Sequence, residues 1–522
     1  MFSIPRYFRQ TAATFAAFCC LLGLWGCTSP ASVTSTSEQT PPSRPSEPAS
    51  PTESTLPSTP TPTVPPESLP EEPLTEETGF LRPSASVASY RRPDAPGLFF
   101  AVNEAPVPGE IVGQEIVHSM VSMDGNVQAL LTDQNALWLV HPGALLKLSE
   151  NVSYADLSVS GSYLIWIDAA DNLQGYDVGT GRIDSIAKNT ASASLSPQGD
   201  AVAYSVSNSD GSISAWICIG GEARLFGEEL MPFALSGKGE LVYALDTRDG
   251  LLHILDETGA SIGKASDLLP GGGVFLSSDH RQILFPCPEG WYLRDGSGGK
   301  FLIPDADIKN MVIPEGAVTL CRRSISICSF TLPTKNLLGH FYLDRENSLW
   351  YLDTDASVSS VSQIVDPESV CVSWDGATLF YRWEDGTLFR THRSCPGSPT
   401  ILAAEVEAFA PTWDGAGIYC LDSENRLTYL EDFHDPRIVS EAVTDFGVTW
   451  DGYCLYLTAP GEEGSTLWVS QLGSPGTPAE TGAASLRITP SAVYLTLIKE
   501  EQLDLYCATE AFAFLLLAEN VM

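Results

Sequence analysis

From about residue 110 the apolar and polar positions recur in a fixed order. An apolar run is followed by a tight turn, a second apolar run, a polar turn, a third run and a weaker fourth. The apolar runs are short and rich in β-branched and aromatic residues, as in Tyr163-Leu164-Ile165-Trp166-Ile167, Leu379-Phe380-Tyr381 and Cys454-Leu455-Tyr456-Leu457. That composition at that length predicts buried β-strands. No stretch of this region carries the 3.6-residue periodicity of a helix of three or more turns.

The first turn of the unit punctuates the repeat. Ser373-Trp374-Asp375-Gly376, Thr412-Trp413-Asp414-Gly415 and Thr449-Trp450-Asp451-Gly452 are three consecutive copies, with glycines 39 and 37 residues apart. Looser copies end at Gly125, Gly161, Gly199 and Gly239, stepping by 36, 38 and 40. Glycine supplies the positive φ such a turn needs, and Ser, Thr or Asp bonds back to neighbouring amides.

Four strands every 36 to 40 residues is the signature of propeller blades. The Ser-Pro-Asp-Gly-like turn before an apolar strand resembles the TolB-like family of WD-type β-propeller repeats. That resemblance implies a fold far more than an activity. The expected fold is all-β, a β-propeller of about 8–10 four-stranded blades over 110–522, in one large ring rather than two in tandem. The unit between about 310 and 365 is irregular, with an insertion around Cys321 to Lys335. Residues 80–109 form a lead-in, where Leu98-Phe99-Phe100-Ala101-Val102 is apolar enough to be a strand. Pairing with the last unit, around Phe514 to Leu517, would seal the ring against an open edge.

The N-terminal pattern differs. Arg6 and Arg9 precede a run of 16 uncharged residues, Thr11 to Gly26. This is short for a membrane-spanning helix, which needs about 20, and suits a signal-peptide core. It ends in Leu24-Trp25-Gly26-Cys27, which resembles the bacterial lipobox, with Trp25 in place of the small residue usual there. The resemblance implies lipid attachment at Cys27, a signal peptide over 1–26, and an address on the extracytoplasmic face of the cell membrane. Residues 27–79 are mostly Ser, Thr, Pro and Glu, too polar to offset chain entropy by burial. They read as a disordered stalk, reaching on the order of 150 Å if fully extended as polyproline II.

Composition narrows the partners. Lys and Arg number 28 against 65 Asp and Glu, a net charge of −37. Loss of the leader removes Arg6 and Arg9 and no acid, taking −37 to −39. So acidic a surface repels nucleic acid and anionic headgroups. The partner expected is a protein or glycan, with the membrane engaged through the anchor. Cys19 and Cys20 lie in the leader and Cys27 in the lipobox-like motif, and the nine other cysteines are scattered with no C-x-x-C, which supports neither zinc ribbon nor thioredoxin chemistry.

No catalytic constellation is legible. There is no Gly-x-Ser-x-Gly elbow and no His-Glu-x-x-His, and the seven histidines are singletons. Asp295 to Lys300 lacks phosphate-loop spacing and reads as a hairpin turn. Asp168-Ala169-Ala170-Asp171 and Asp353-Thr354-Asp355 fit no EF-hand loop and read as solvated turns. No metal, cofactor or catalytic residue is assigned. The expected function is therefore non-enzymatic binding or scaffolding, with an accessory or sensory role in an envelope complex, or a propeller glycan-active enzyme using paired carboxylates, as alternatives.

Candidate ligand-binding residues are Trp374, Trp413 and Trp450. Equivalent turns of successive blades lie side by side, so these indoles would form an arc over three blades. Either the arc is exposed and stacks on sugars or apolar groups, or each indole folds inward over a seam between blades.

Overall fold

The computed structural model describes residues 87–521, apart from short internal stretches of which the longest are 266–272 and 509–513. All belong to one unit, Glu77–Met522. Cys27 and the residues expected to form a leader and a stalk lie outside the described residues. Among those described there is no helix, and the strands form ten sheets.

The sheets follow one another along the chain. We number them 1 (87–112), 2 (116–149), 3 (152–187), 4 (190–228), 5 (230–265), 6 (273–304), 7 (310–362), 8 (371–403), 9 (406–440) and 10 (443–518). Sheet 1 has three strands, and sheets 2–5, 8 and 9 are antiparallel with four strands each in chain order. Sheet 10 has seven strands, because the long strand Thr477–Ile488 closes one four-stranded set and opens another. Its Ala483 pairs with Ser465 on one side and with Leu497 on the other. This is an all-β, propeller-like repeat fold.

Apolar clusters join each sheet to the next. Phe100 and Val107 of sheet 1 pack on Leu130 and Val140 of sheet 2. Ile165 and Leu173 of sheet 3 pack on Leu195 and Tyr204 of sheet 4. Phe341 and Tyr351 of sheet 7 pack on Leu379 and Tyr381 of sheet 8. The succession returns to its start, since Tyr494, Cys507 and Leu517 of sheet 10 pack on Ala88 and Ala101 of sheet 1. Neither face of a sheet is solvated over its length, which is why the strands read as near-continuous apolar runs.

The closure differs from the strand pairing that the sequence suggested. Residues 98–102 fall in the strand Ala95–Val102, which hydrogen-bonds to Val87–Arg92 and Ala105–Val112 inside sheet 1. Phe514–Ala518 pairs with Gln502–Ala508 instead. The ends therefore meet by side-chain packing. A short apolar segment reports that it is buried, not which edge it pairs with.

The irregular unit has a specific cause. The hairpin Leu320–Ser324 and Ile327–Thr331 leaves sheet 7 and joins sheet 6, where Cys328–Thr331 runs parallel to Gly273–Leu276. Beyond that edge Leu320 packs on Met123 and Val159, which belong to the first turns of sheets 2 and 3. The hairpin thus ties sheet 6 to the first turns of sheets 2 and 3. His280 reinforces the joint: its Nδ1 donates to the Leu235 carbonyl at 2.7 Å, and Nε2 lies 2.9 Å from the Thr331 hydroxyl.

Candidate functional site

The recurring Ser or Thr does one job in every turn. In sheet 8, Ser373 Oγ donates to Asp375 Oδ1 at 2.6 Å and accepts the Thr378 N–H at 2.9 Å. Thr412 repeats this with Asp414 and Gly417 at 2.7 and 2.9 Å, and Ser236 accepts the Leu241 N–H at 3.0 Å. The hydroxyl satisfies the amide at which the next strand starts, so it is buried and the turn has one geometry. Each carboxylate stands outside it: Asp375, Asp414 and Asp451 are exposed and spend Oδ1 on their own turns.

These turns touch. The backbone N–H of Trp374 donates to the Trp413 carbonyl at 3.0 Å, and that of Met123 donates to the Val159 carbonyl at 2.8 Å in the corresponding place. The three tryptophans therefore sit on neighbouring turns, but they do not share one role. Trp374 is half-buried and packs on the cluster of Val372, Leu379 and Tyr381. Trp413 and Trp450 are 41% and 37% exposed, with ring centroids 4.8 Å apart and planes tilted by 41°. The exposed feature is a pair of indoles, each followed in sequence by the exposed Asp of its own turn, with the third indole folded inward.

Other acids identified in the sequence are committed to turns. Asp168 Oδ1 accepts the N–H groups of Ala170 and Asn172 at 2.8 and 3.0 Å. Asp353 and Asp355 accept those of Thr354 and Ser357. Residues 296–299 of the glycine-rich stretch lie outside the described residues. A polar cleft of about 680 Å³ between sheets 3 and 4 is lined by Tyr154, Thr190, Ser192 and Asn208, with Asp171 its single carboxylate. A smaller one of about 480 Å³ beside sheet 1 has Glu115 alone. Neither carries the carboxylate pair of a glycosidase.

One grouping escaped the sequence reading. His253, treated as a singleton, is buried beside Asp246 and Asp249, seven and four residues earlier in the same hairpin. The usable signal was an Asp-x2-Asp-x3-His spacing across a turn.

No family model and no curated protein matches the chain. Among solved structures it is similar to a crystal structure of the tricorn protease, at 12% identity and a TM-score of 0.27, over 78% of this chain and 58% of that one. The chain thus spans less than two thirds of that protein's length, and so remote a likeness carries no activity across.

Proposed function

We propose that this protein is a non-enzymatic binding or scaffolding lipoprotein, held at the extracytoplasmic face of the membrane through Cys27, and that the Trp413–Trp450 pair takes a glycan of the envelope. The observation that carries this reading is the exposed indole pair, with the exposed Asp414 and Asp451 next to the two indoles in sequence. Indole faces stack on the C–H faces of sugar rings, and carboxylate oxygens accept from sugar hydroxyls. Burying large, nearly rigid side chains costs little entropy, which suits a shallow site on a rigid sheet. The net charge of −37 selects neutral or amine-bearing glycans over anionic polymers. A basic protein segment is the second reading, favoured by the same charge and by cation–π attraction to indole.

The test is co-sedimentation and calorimetry of the purified chain with insoluble cell-wall glycan and with soluble chitin- and glucan-type oligosaccharides. Trp413→Ala and Trp450→Ala should each weaken glycan binding about tenfold or more, with the melting temperature unchanged. Release of reducing ends by the wild type would overturn the non-enzymatic part. Unaltered binding in both variants would overturn the site. Anchoring is read separately, by fatty-acid labelling lost in Cys27→Ala.

A further inference from the structure

The hairpin between the second and third strands of sheet 5, Leu241–Asp246 and Leu252–Asp256, collects three groups of metal-ligand type. Ala244 pairs with His253 across the ladder, so Asp246 and His253 are diagonal neighbours on one face. Asp249 comes back over them from the turn, which Gly250 completes with a φ of 70°. His253 Nε2 lies 3.7 Å from Asp246 Oδ2 and 3.5 Å from Asp249 Oδ2. One ligand atom from each residue falls within 4.8 Å of the others.

These separations have a chemical meaning. With Zn–N and Zn–O bonds of about 2.0–2.1 Å, two ligands of a tetrahedral site lie about 3.4 Å apart. The two edges from Nε2 need to contract by only a few tenths of an ångström. His253 is 6% exposed and Asp246 is 2% exposed. Nε2 is buried and has no hydrogen-bond partner. A buried ring nitrogen left in this state calls for an occupant. Two carboxylates and an imidazole suit a borderline cation and make a poor calcium site, because Ca²⁺ takes six to eight oxygens.

We propose that Asp246, Asp249 and His253 bind one divalent transition-metal ion of the Zn²⁺ class, leaving a coordination position open to water or to a partner's side chain. The Arg248 guanidinium is ion-paired with the Asp246 carboxylate. That same guanidinium is the competitor. Arg248 Nη2 lies 2.6 Å from Asp246 Oδ2 and Nε lies 2.9 Å from Oδ1, on a side chain that is 63% exposed. A metal on Oδ2 displaces Nη2 toward solvent, while Oδ1 keeps the backbone N–H of Arg248 at 2.9 Å. Asp249 gives Oδ1 to the Leu251 N–H at 2.9 Å and presents Oδ2 to the imidazole.

The experiment titrates the purified full chain, stripped with a chelator, with Co²⁺ and then Zn²⁺. One Co²⁺ should bind, giving visible d–d bands without the strong ultraviolet charge transfer of thiolate ligands, and Zn²⁺ should erase those bands. Asp249→Asn, at a half-exposed turn position, should weaken binding at least tenfold and abolish the metal-induced rise in melting temperature. His253→Gln should do the same, and if it fails to fold, Asp249→Asn decides. Arg248→Ala should bind more tightly than wild type. No binding at stoichiometric micromolar metal, or unchanged affinity in Asp249→Asn, overturns the site and leaves the three residues as a turn-fixing charge cluster. Weaker binding in Arg248→Ala overturns the competition.

Discussion

The backbone N–H of Trp374 donates to the carbonyl of Trp413 across a sheet boundary, yet the two indoles diverge. Trp374 goes down onto Val372, Leu379 and Tyr381, while Trp413 turns to Trp450, 4.8 Å away. One repeated motif thus serves two ends. Trp374→Ala should cost about 2–4 kcal/mol, as removal of a largely packed indole does. Trp413→Ala should cost under about 1 kcal/mol, because an exposed ring loses little burial. Urea denaturation of both variants checks this, and equal losses would mean that all three indoles serve the repeat alone.

The repeat itself was legible because its signals are local. Gly376, Ser373 and Asp375 fix a turn within five residues, and Tyr163 to Ile167 form a strand by composition. The partners of Leu98 to Val102 were not legible, although they lie close by in Val87–Arg92 and Ala105–Val112, because an apolar run is equally consistent with strand pairing to the last unit and with packing against it, as Ala101 packs on Tyr494 and Cys507. The inward turn of Trp374 was also hidden, because the same Trp-Asp-Gly sequence stands over different neighbours in sheets 8, 9 and 10. His253 looked solitary because its partners lie across a hairpin turn.

Gly161 marks how closely successive turns approach. A Cβ added there would lie 2.7 Å from Ser122 Cβ in the turn before it, and the residue holds a φ of 73°. Gly161→Ala combines left-handed strain with overpacking, for a cost of about 2–4 kcal/mol. The measurement is a thermal melt beside Gly143→Ala, where the φ is 81° and nothing lies within 4 Å of the added Cβ. The Gly143 variant should lose about 1 kcal/mol from strain alone. Equal melting temperatures for the two variants would refute the close inter-sheet fit.

Cys321 and Cys328 face each other diagonally in the hairpin that joins sheet 6, with sulfurs 3.5 Å apart. A disulfide bond is about 2.05 Å long, so a small movement suffices. Treatment with an azo oxidant such as diamide takes two electrons and two protons from the pair and reduces the azo group to a hydrazine. The oxidised chain should lose about 2 Da, within the peptide carrying both residues. Exposed Cys395 should be the first thiol to react with an alkylating reagent. Cys420 and Cys454 are buried, and burial raises their thiol pKa well above the usual range. Their modification in the folded chain before Cys395 would contradict the packing described.

His340 gives the fold an acid-sensitive point. Its ring is buried at the start of the strand His340–Leu343 in sheet 7, and Nε2 donates to the Asn336 carbonyl at 2.6 Å. Burial pulls its pKa from 6.5 to about 4, against the Asn336 bond, and the charge of Arg393 pushes the same way as burial. The folded state therefore holds the ring neutral where the unfolded chain would protonate it. For a depressed folded-state pKa the contribution to stability is complete above about 6.5 and is lost as pH falls toward 4. At pH 4.5 the loss should be about 2–3 kcal/mol, at 1.36 kcal/mol per unit. Carboxylates titrate over the same range, so the wild type alone does not isolate the effect. In His340→Gln the amide side chain does not titrate, while every carboxylate remains. Urea unfolding of both proteins at pH 7.5 and 4.5 should give the variant a stability drop smaller by that amount. Identical drops would show that His340 is not held neutral by the fold.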